Sequence, residues 1–443
     1  MDIIIKILQL ILSLSILVIV HEFGHFFAAK IFKTRVEKFY LFFNPWFSIF
    51  KFKYKGTEYG MGWLPLGGYV KISGMIDESM DKEALKSPAQ PWEFRSKPAW
   101  QRLIIMLGGV FMNVVLAVVI YIGMLFYYGE AYLPTAEANK YGISPDSLAM
   151  EMGFQKGDKI ISIGGEYVEN FQKIPVNLIL NEAKTAQVMR EGKKVEIVFP
   201  DGSLSKLVKH KSPYFISVRI PFVAENFSEN SPAERAGMKA GDSIIGINGM
   251  PLKYFGEFRD EIVKHKNESV VIDVKRGYDT LHLSMQLGDD GLIGVFGKNT
   301  LDEFFEMKEK KYTIAEAVPA GFVRTWDGIG SYMKQLKLLF SPEVKAYESV
   351  GGFITIGSIF PSVWHWESFW RLTAFLSIML AILNILPIPA LDGGHVMFLM
   401  YEIIARRKPS DKFLEYAQIA GMVILFGLLI LANGNDIIRL FND

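Results

Sequence analysis

Four stretches of this chain are too long, too apolar and too poor in charge to belong to an ordinary soluble domain. Between Ile7 and Ala29 the only formal charge is Glu22, while Leu103 to Gly129, Leu372 to Leu391 and Ala417 to Ala432 carry none. A helix rises about 1.5 Å per residue, so roughly 20 residues cross a hydrocarbon core of about 30 Å. Lipid offers the backbone no hydrogen-bond partner, and a continuous apolar run of this length therefore predicts a helix. The expectation is four transmembrane helices. The first stretch could instead be a cleaved signal peptide, but its apolar run outlasts an h-region and no small-x-small site interrupts it.

The rest of the chain is not membrane-like. Hydrophobic residues make up 50% of the sequence and the mean hydropathy is +0.21, which fits a membrane bundle carrying water-exposed domains. The net charge of +1, with no basic stripe interleaved with aromatics, argues against a nucleic-acid partner. Cysteine is absent, so there are no disulfides or thiolate ligands and the redox compartment is unreadable; any metal must be held by His, Asp or Glu. Thirteen Lys and Arg lie from Lys30 to Arg102, and "RRKPSDK" joins the last two apolar stretches. By the positive-inside rule both loops face the cytoplasm, which puts both termini and the stretch from Glu130 to about Ser368 outside.

Within the first apolar stretch stands "HEFGH". His21 and His25 are four apart, on one helical face, where two imidazoles can reach one tetrahedral zinc; Glu22 beside them is placed as a base rather than a ligand. The pentapeptide also occurs by chance as a polar helix end. An acid near the bilayer centre costs on the order of 2.5–3.5 kcal/mol, however, so ionisable residues inside a span usually mark a site. The third apolar stretch ends "LNILPIPALDGGHV", and Asp392 is the first charge after it. Spans one and three run in the same direction, so Asp392 and the histidines lie at similar depth and Asp392 is the candidate third ligand. Pro387 and Pro389 cannot continue a helix, and Gly393 and Gly394 permit close backbone approach, so the segment should unwind where Asp392 aims inward. The competing reading is a kinked helix end with a solvated Asp. His395 could also compete as a ligand but ranks below Asp392, with a supporting role expected, because two His and one carboxylate already leave zinc one open position.

"HEFGH", "LDGG" and the intervening "GTEYGMGWLPLGGYVKISG" together resemble the site-2 protease family of intramembrane zinc metalloproteases, in the bacterial regulator-of-sigma-E protease subgroup. The resemblance covers essentially the whole chain. It departs at "GGVFMN", where Gly109 replaces a usual proline, and at "SVGGFITIG", where a Gly-Pro-Ile-like segment is usual. It implies one Zn2+ per chain and, as substrates, single-pass membrane proteins already shortened by another protease, such as anti-sigma factors, or signal-peptide remnants. It also implies that Asn384 hydrogen-bonds substrate backbone, although an Asn in a span can equally join helices; Asn113 is a weaker candidate, for a supporting role beside the metal like that of His395. Residues 56 to 74 read as short strands joined through "PLGG"; by resemblance they form a membrane-reentrant β-loop in which Gly67, Gly68 and Tyr69 contact a substrate held as an added strand.

"AMEMGFQKGDKIISIGG" (149–165) repeats as "AERAGMKAGDSIIGING" (233–249), preserving Gly153/Gly237, Gly157/Gly241 and Asp158/Asp242 at an offset of 84 residues. Two copies of one domain are implied, similar to the PDZ domains of bacterial envelope proteases, which bind peptides, exclude bulky substrate ectodomains or act as spacers. Further on, Ile314, Val318, Phe322, Ile329, Met333, Leu336 and Phe340 recur near helical spacing, predicting an amphipathic helix on the outer membrane surface, against the repeats, or in ordinary packing, with Pro319 as a possible kink.

The expected fold is a polytopic α-helical membrane protein of the bacterial inner membrane, with two extracytoplasmic mixed α/β PDZ domains and a membrane-associated β-hairpin loop. Its segments are span one with HExxH (1–32), the β-loop region (33–102), span two (103–129), two repeats (130–209 and 210–290), an amphipathic connector (291–368) and spans three and four with LDGG (369–443). The expected partners are membrane lipid and single-pass protein substrates. A membrane metal-ion transporter would also place such residues in spans but has no use for tandem PDZ-like domains, and a catalytically silent peptide-binding scaffold is disfavoured by the intact Glu22.

Overall fold

The computed structural model describes residues 2–65, 67–75, 88–210, 214–298, 300–338 and 351–442. It divides into two compact units, one of Met1–Gly129, Lys311–Leu336 and Tyr347–Asp443, the other of Glu130–Lys310 and Lys337–Ala346.

In the first unit the helices are α1 (Asp2–Ile31), α2 (Ala99–Tyr127), α3 (Ile314–Leu338), α4 (Phe353–Ser358), α5 (Trp366–Ile385), α6 (Asp392–Ala405) and α7 (Asp411–Asn442). Four of them are long and apolar enough to cross a membrane, over Ile3–Ile31, Ala99–Tyr127, Trp366–Ile385 and Lys412–Ile437. The third expected span does not run on to Leu391. The tandem prolines end α5 at Ile385, Ala390 turns the backbone at φ 81°, and a separate helix, α6, starts at Asp392. A Cβ on Gly393 would lie 2.1 Å from the Leu386 carbonyl oxygen, and one on Gly394 2.6 Å from Pro389 Cα. Both glycines are needed for α6 to fold back against the unwound segment.

Helices α1 and α2 cross where side chains vanish. A Cβ on Gly24 would meet the Gly108 carbonyl oxygen at 2.1 Å and one on Gly108 the Gly24 oxygen at 2.5 Å, so neither helix tolerates a larger residue there. Polar groups are drawn into the same interior: the Ser13 and Thr373 hydroxyls are hydrogen-bonded at 3.0 Å, Thr373 Oγ1 lies 2.8 Å from the Phe369 carbonyl, and Ser377 Oγ donates to the Asn113 carbonyl at 2.8 Å.

The amphipathic helix expected from the connector is α3, which packs through small and polar residues together with Ile329 and Leu336 of the predicted stripe. Ile314, Val318, Phe322 and Met333 of the predicted apolar stripe are exposed, while Ala317, Thr325 and Tyr332 are buried. Gly321 lies against Ile122 of α2 and Gly328 against Ile378 of α5. Among helices with lipid outside, small residues set the packing face and bulky apolar ones turn outward. Phe340, the last member of the predicted stripe, lies outside the described residues, as does Leu66 of the β-loop.

The loop between α1 and α2 holds a four-stranded sheet in the order β2-β3-β1-β4, from β1 (Val36–Leu41), β2 (Phe43–Tyr54), β3 (Thr57–Leu64) and β4 (Tyr69–Ile72). Strand β1 is parallel to β3 and antiparallel to β4. One face carries Phe39, Phe52 and Tyr59, and the Phe26 ring of α1 packs edge-on against Phe39 and Tyr59. This anchors the sheet to the helix that bears HEFGH, and β4 is left as an edge.

The second unit contains two regions that carry the matching sequence segments. One has a sheet of β5 (Lys159–Ile163), β6 (Thr185–Arg190) and β7 (Lys193–Val198); the other has β8 (Phe222–Phe227), β9 (Ser243–Ile247), β10 (Ser269–Arg276), β11 (Asp279–Gln286) and β12 (Val295–Gly297), in the order β11-β10-β9-β8-β12. The repeated Gly-Asp has a structural cause. Arg190 grips both oxygens of buried Asp158 at 2.8 Å and donates to the Gly153 carbonyl; Arg276 grips both oxygens of buried Asp242 at 2.7 Å and donates to the Gly237 carbonyl. Strand pairing departs from the expected segment limits. Ile216–Val218 pairs with Ile143–Pro145, β12 pairs with β8, and Lys308–Lys310 pairs with Glu130–Tyr132. Backbone groups must be paired wherever they are buried, so chain beyond residues 209 and 290 is recruited to complete these sheets.

Candidate metal centre

Three donor atoms from two helices converge at one point. His21 Nε2 and His25 Nε2 of α1 are 3.3 Å apart, and each is 3.2 Å from Asp392 Oδ2, at the first turn of α6. Bonds of about 2.0–2.1 Å at tetrahedral angles separate neighbouring ligand atoms by about 3.3–3.4 Å, so this triangle is one face of a zinc tetrahedron. The hydrogen bonds around it agree. His25 Nδ1 lies 2.9 Å from the Ile105 carbonyl, which can only accept, so the ring proton is on Nδ1 and Nε2 offers a lone pair. Asp392 Oδ2 is buried with no hydrogen-bond partner among the described residues. Three lone pairs facing one another with no proton among the three atoms fit a cation.

Asn113, fully buried in α2, supports the other ring. Its side-chain nitrogen lies 3.1 Å from His21 Nδ1, and its Oδ1 has no partner among the described residues. The two amide ends have nearly the same shape, and exchanging them directs Oδ1 to accept from His21 Nδ1–H and leaves Nε2 free for metal. One rotation thus satisfies the oxygen and sets the tautomer.

Glu22, His21, His25 and Asp392 open into a cavity of about 610 Å³, also lined by Gly67, Gly68, Tyr69, Asn384 and His395. The Val70 backbone amide of β4 faces the Glu22 carboxylate. A Cβ on Gly68 would meet Val18 at 2.6 Å, the Tyr40 carbonyl at 2.7 Å and Glu22 Cγ at 3.5 Å, so this glycine lets β4 approach the base. Tyr69 stacks on Tyr40 at 5.3 Å and donates to Asn44 Oδ1. Asn384 Nδ2 sits 3.4 Å from His21 Nε2, at the edge of the triangle. His395 lines the cavity but is not among the three converging ligands.

Sequence reasoning located the ionisable residues and missed the glycines that admit them. A Cβ on Gly109 would lie 2.4 Å from His25 Nε2 and 2.6 Å from His21 Cε1. Gly109 therefore leaves the room that the two imidazoles occupy. The signal was available: Gly24 inside HEFGH and Gly108-Gly109 in the next span are small residues where two apolar helices need a contact.

The profile of peptidase family M50 matches residues 9–428. Among curated proteins the chain is 29% identical, over 99% of its own length and 95% of the other's, to a protein of Campylobacter jejuni whose name describes a zinc metalloprotease. It is 28% identical to the regulator of sigma-E protease RseP of Escherichia coli strain K12 and to the regulator of sigma E protease of Haemophilus influenzae, covering 97% of this chain and 98% of each.

Proposed function

This chain belongs to peptidase family M50, and from that premise we propose that it is a multi-pass inner-membrane endopeptidase that uses one zinc ion to cut peptide bonds within or beside the spans of single-pass membrane proteins. The observation that carries the reading is the triangle of His21, His25 and Asp392 opening, with Glu22, into one cavity.

A zinc ion at the triangle would supply polarisation of the scissile carbonyl and would lower the pKa of water from about 15.7 to about 7. His21, His25 and Asp392 hold it, and Asn113 and the Ile105 carbonyl orient the two rings. Glu22 removes the proton of the attacking water and returns it to the leaving amine. Strand β4, an edge strand along the cavity, takes a substrate segment as a further strand, which extends a peptide bond that a helix would shield. Asn384, with Gly67, Gly68 and Tyr69, positions that segment beside the metal.

The loops rich in Lys and Arg face the cytoplasm, and both termini and the two repeats face outward. The repeats are PDZ domains, and they restrict access to substrates whose outer part has been trimmed. Replacing residues 130–290 by a short flexible linker then lets the enzyme cut a reporter with a folded outer domain, with little change for a shortened one. Poor cleavage of the shortened reporter would indicate recruitment instead. Regulation of a sigma factor, as in the names of the relatives, points to anti-sigma factors as the substrate class. The direct test of the enzymatic reading is cleavage of a membrane-embedded reporter in proteoliposomes, abolished by chelation and restored by zinc; metal flux without cleavage would make the chain a transporter.

A further inference from the structure

The metal cavity carries two lysines that the chemistry above does not use. Lys38 of β1 and Lys71 of β4 both line it, and they are direct partners across the β1–β4 pair, next to Phe39 and Val70 and then Tyr40 and Tyr69. Opposed residues of an antiparallel pair share a face, and alternation puts the two lysines on the face of the stacked Tyr40 and Tyr69 rings. Val70 meets Glu22, so the lysine row lies one residue, about 3.3 Å along the strand, beyond the base. It lies on the side of Lys30 and Arg35, the cytoplasmic side in the proposed orientation.

The cavity does not itself cancel the charge of Lys38, whereas Lys71 is partnered. The cavity's acids are Glu22 and Asp392, and zinc would offset both. Lys71 is 3.8 Å from Glu37, which also accepts from Ser73 Oγ. Lys38, half-buried, has no ion-pair or hydrogen-bond partner among the described residues. An ammonium group held in a partly desolvated cavity beside a metal centre is disfavoured unless an anion joins it.

We propose that Lys38 and Lys71 form a specificity subsite that selects a carboxylate side chain, Asp or Glu, one to three residues to the cytoplasmic side of the scissile bond. A substrate strand added along β4 with its scissile bond at Val70 and Glu22 brings those residues past the lysine row. The same pair repels Lys and Arg there, so the cut is kept away from the basic flank that most spans carry on their cytoplasmic side. This inference rests on the reading of the chain as an intramembrane protease.

The test uses the full zinc-loaded chain in phosphatidylcholine proteoliposomes with three reporters, identical except for Glu, Gln or Lys two residues to the cytoplasmic side of a cut located by mass spectrometry. Wild type should cut the Glu reporter about 10-fold better in kcat/KM than the Lys reporter, with Gln between and the difference in KM. The Lys38→Gln/Lys71→Gln variant should lose the ranking, Lys38→Glu/Lys71→Glu should invert it, and Lys38→Arg/Lys71→Arg should keep it. Ratios within each variant cancel any general loss of activity, and zinc content is measured for each. No ranking in wild type, or the same ranking after charge reversal, overturns the subsite. Failure of zinc-loaded wild type to cut even the Gln reporter overturns the protease reading and the subsite with it.

Discussion

In the first unit Gln9, Ser13, His21, His25, Asn113, Thr373 and Ser377 are buried while Ile3, Ile4, Phe111, Val119, Phe426 and Ile430 are exposed. In the second unit Ile143, Ile160, Ile174, Val188, Ile272 and Val274 close the cores, and the lysines of β7 face out. The difference follows from the surrounding solvent. Lipid is as apolar as leucine, so burying leucine gains little there, and helices join through close backbone approach and polar contacts instead. Water rewards each buried apolar side chain by roughly 1.5–3 kcal/mol, and the repeats are built on that term. The metal centre belongs to the first regime, in which a polar interior is the ordinary way to hold helices together.

The strongest way to break this contrast is at the helix crossing. Gly24→Leu sets a side chain against the Gly108 backbone, which no rotamer relieves, so zinc per chain should fall well below one. Gly123→Leu, in α2 with nothing within 4 Å of its Cβ, should leave zinc near one. Equal zinc loss in both would mean that close approach is not what sets the centre.

The second unit should respond most at a buried ion pair. Asp242→Ala strands Arg276, and because that side chain is 34% exposed the cost should be clearly smaller than that of breaking a fully buried pair. Hydrogen exchange in residues 233–276 of the full chain reads it. Arg276, and the Lys239 amide after it, hold the Asp242 carboxyl below its ordinary range. The folded state thus binds fewer protons than the unfolded one, and the stabilisation is complete above about pH 4 and lost as pH falls through the lowered folded value. Asp242→Asn should remove that acid dependence.

A smaller effect is expected at Asn113. Asn113→Leu should weaken zinc binding by about 10- to 100-fold in a chelator competition, and Asn113→Asp, which also accepts from His21, should recover most of it. Equal affinity in all three would remove Asn113 from the support of His21. Least of all, Thr373→Val deletes one hydroxyl contact to Ser13 and should cost about 0.6 kcal/mol without changing zinc content, as followed by thermal unfolding.

The spans were legible because charge-free length is a one-dimensional property, and the convergence of His21, His25 and Asp392 because ionisable residues are rare at that depth. The unwinding before Asp392 could be read from Pro387 and Pro389. Helix α6 could not, since its apolar residues continue the composition of the preceding span. The stripe of α3 did not say which of its residues pack: Ile329 and Leu336 meet neighbours while Ile314, Val318, Phe322 and Met333 stay exposed, because an apolar stripe signals burial only where water is the alternative. The matching segments were visible in Gly153/Gly237 and Asp158/Asp242, but the pairing of the strands at 143–145 and 216–218 was not, since three-residue strands leave no periodicity to read. Gly109 drew notice only as a departure from a pattern, because the space a side chain would take appears only once the helices are packed.

The central claim is that His21, His25 and Asp392 hold the metal while Glu22 moves protons. Zinc stoichiometry and reporter cleavage, measured together on Glu22→Gln and Asp392→Asn, test it most directly. The account predicts that Glu22→Gln keeps about one zinc per chain and loses cleavage by at least the 10²–10⁴-fold typical of a lost acid-base group, whereas Asp392→Asn loses zinc. Zinc loss in Glu22→Gln, or full zinc in Asp392→Asn, would contradict it.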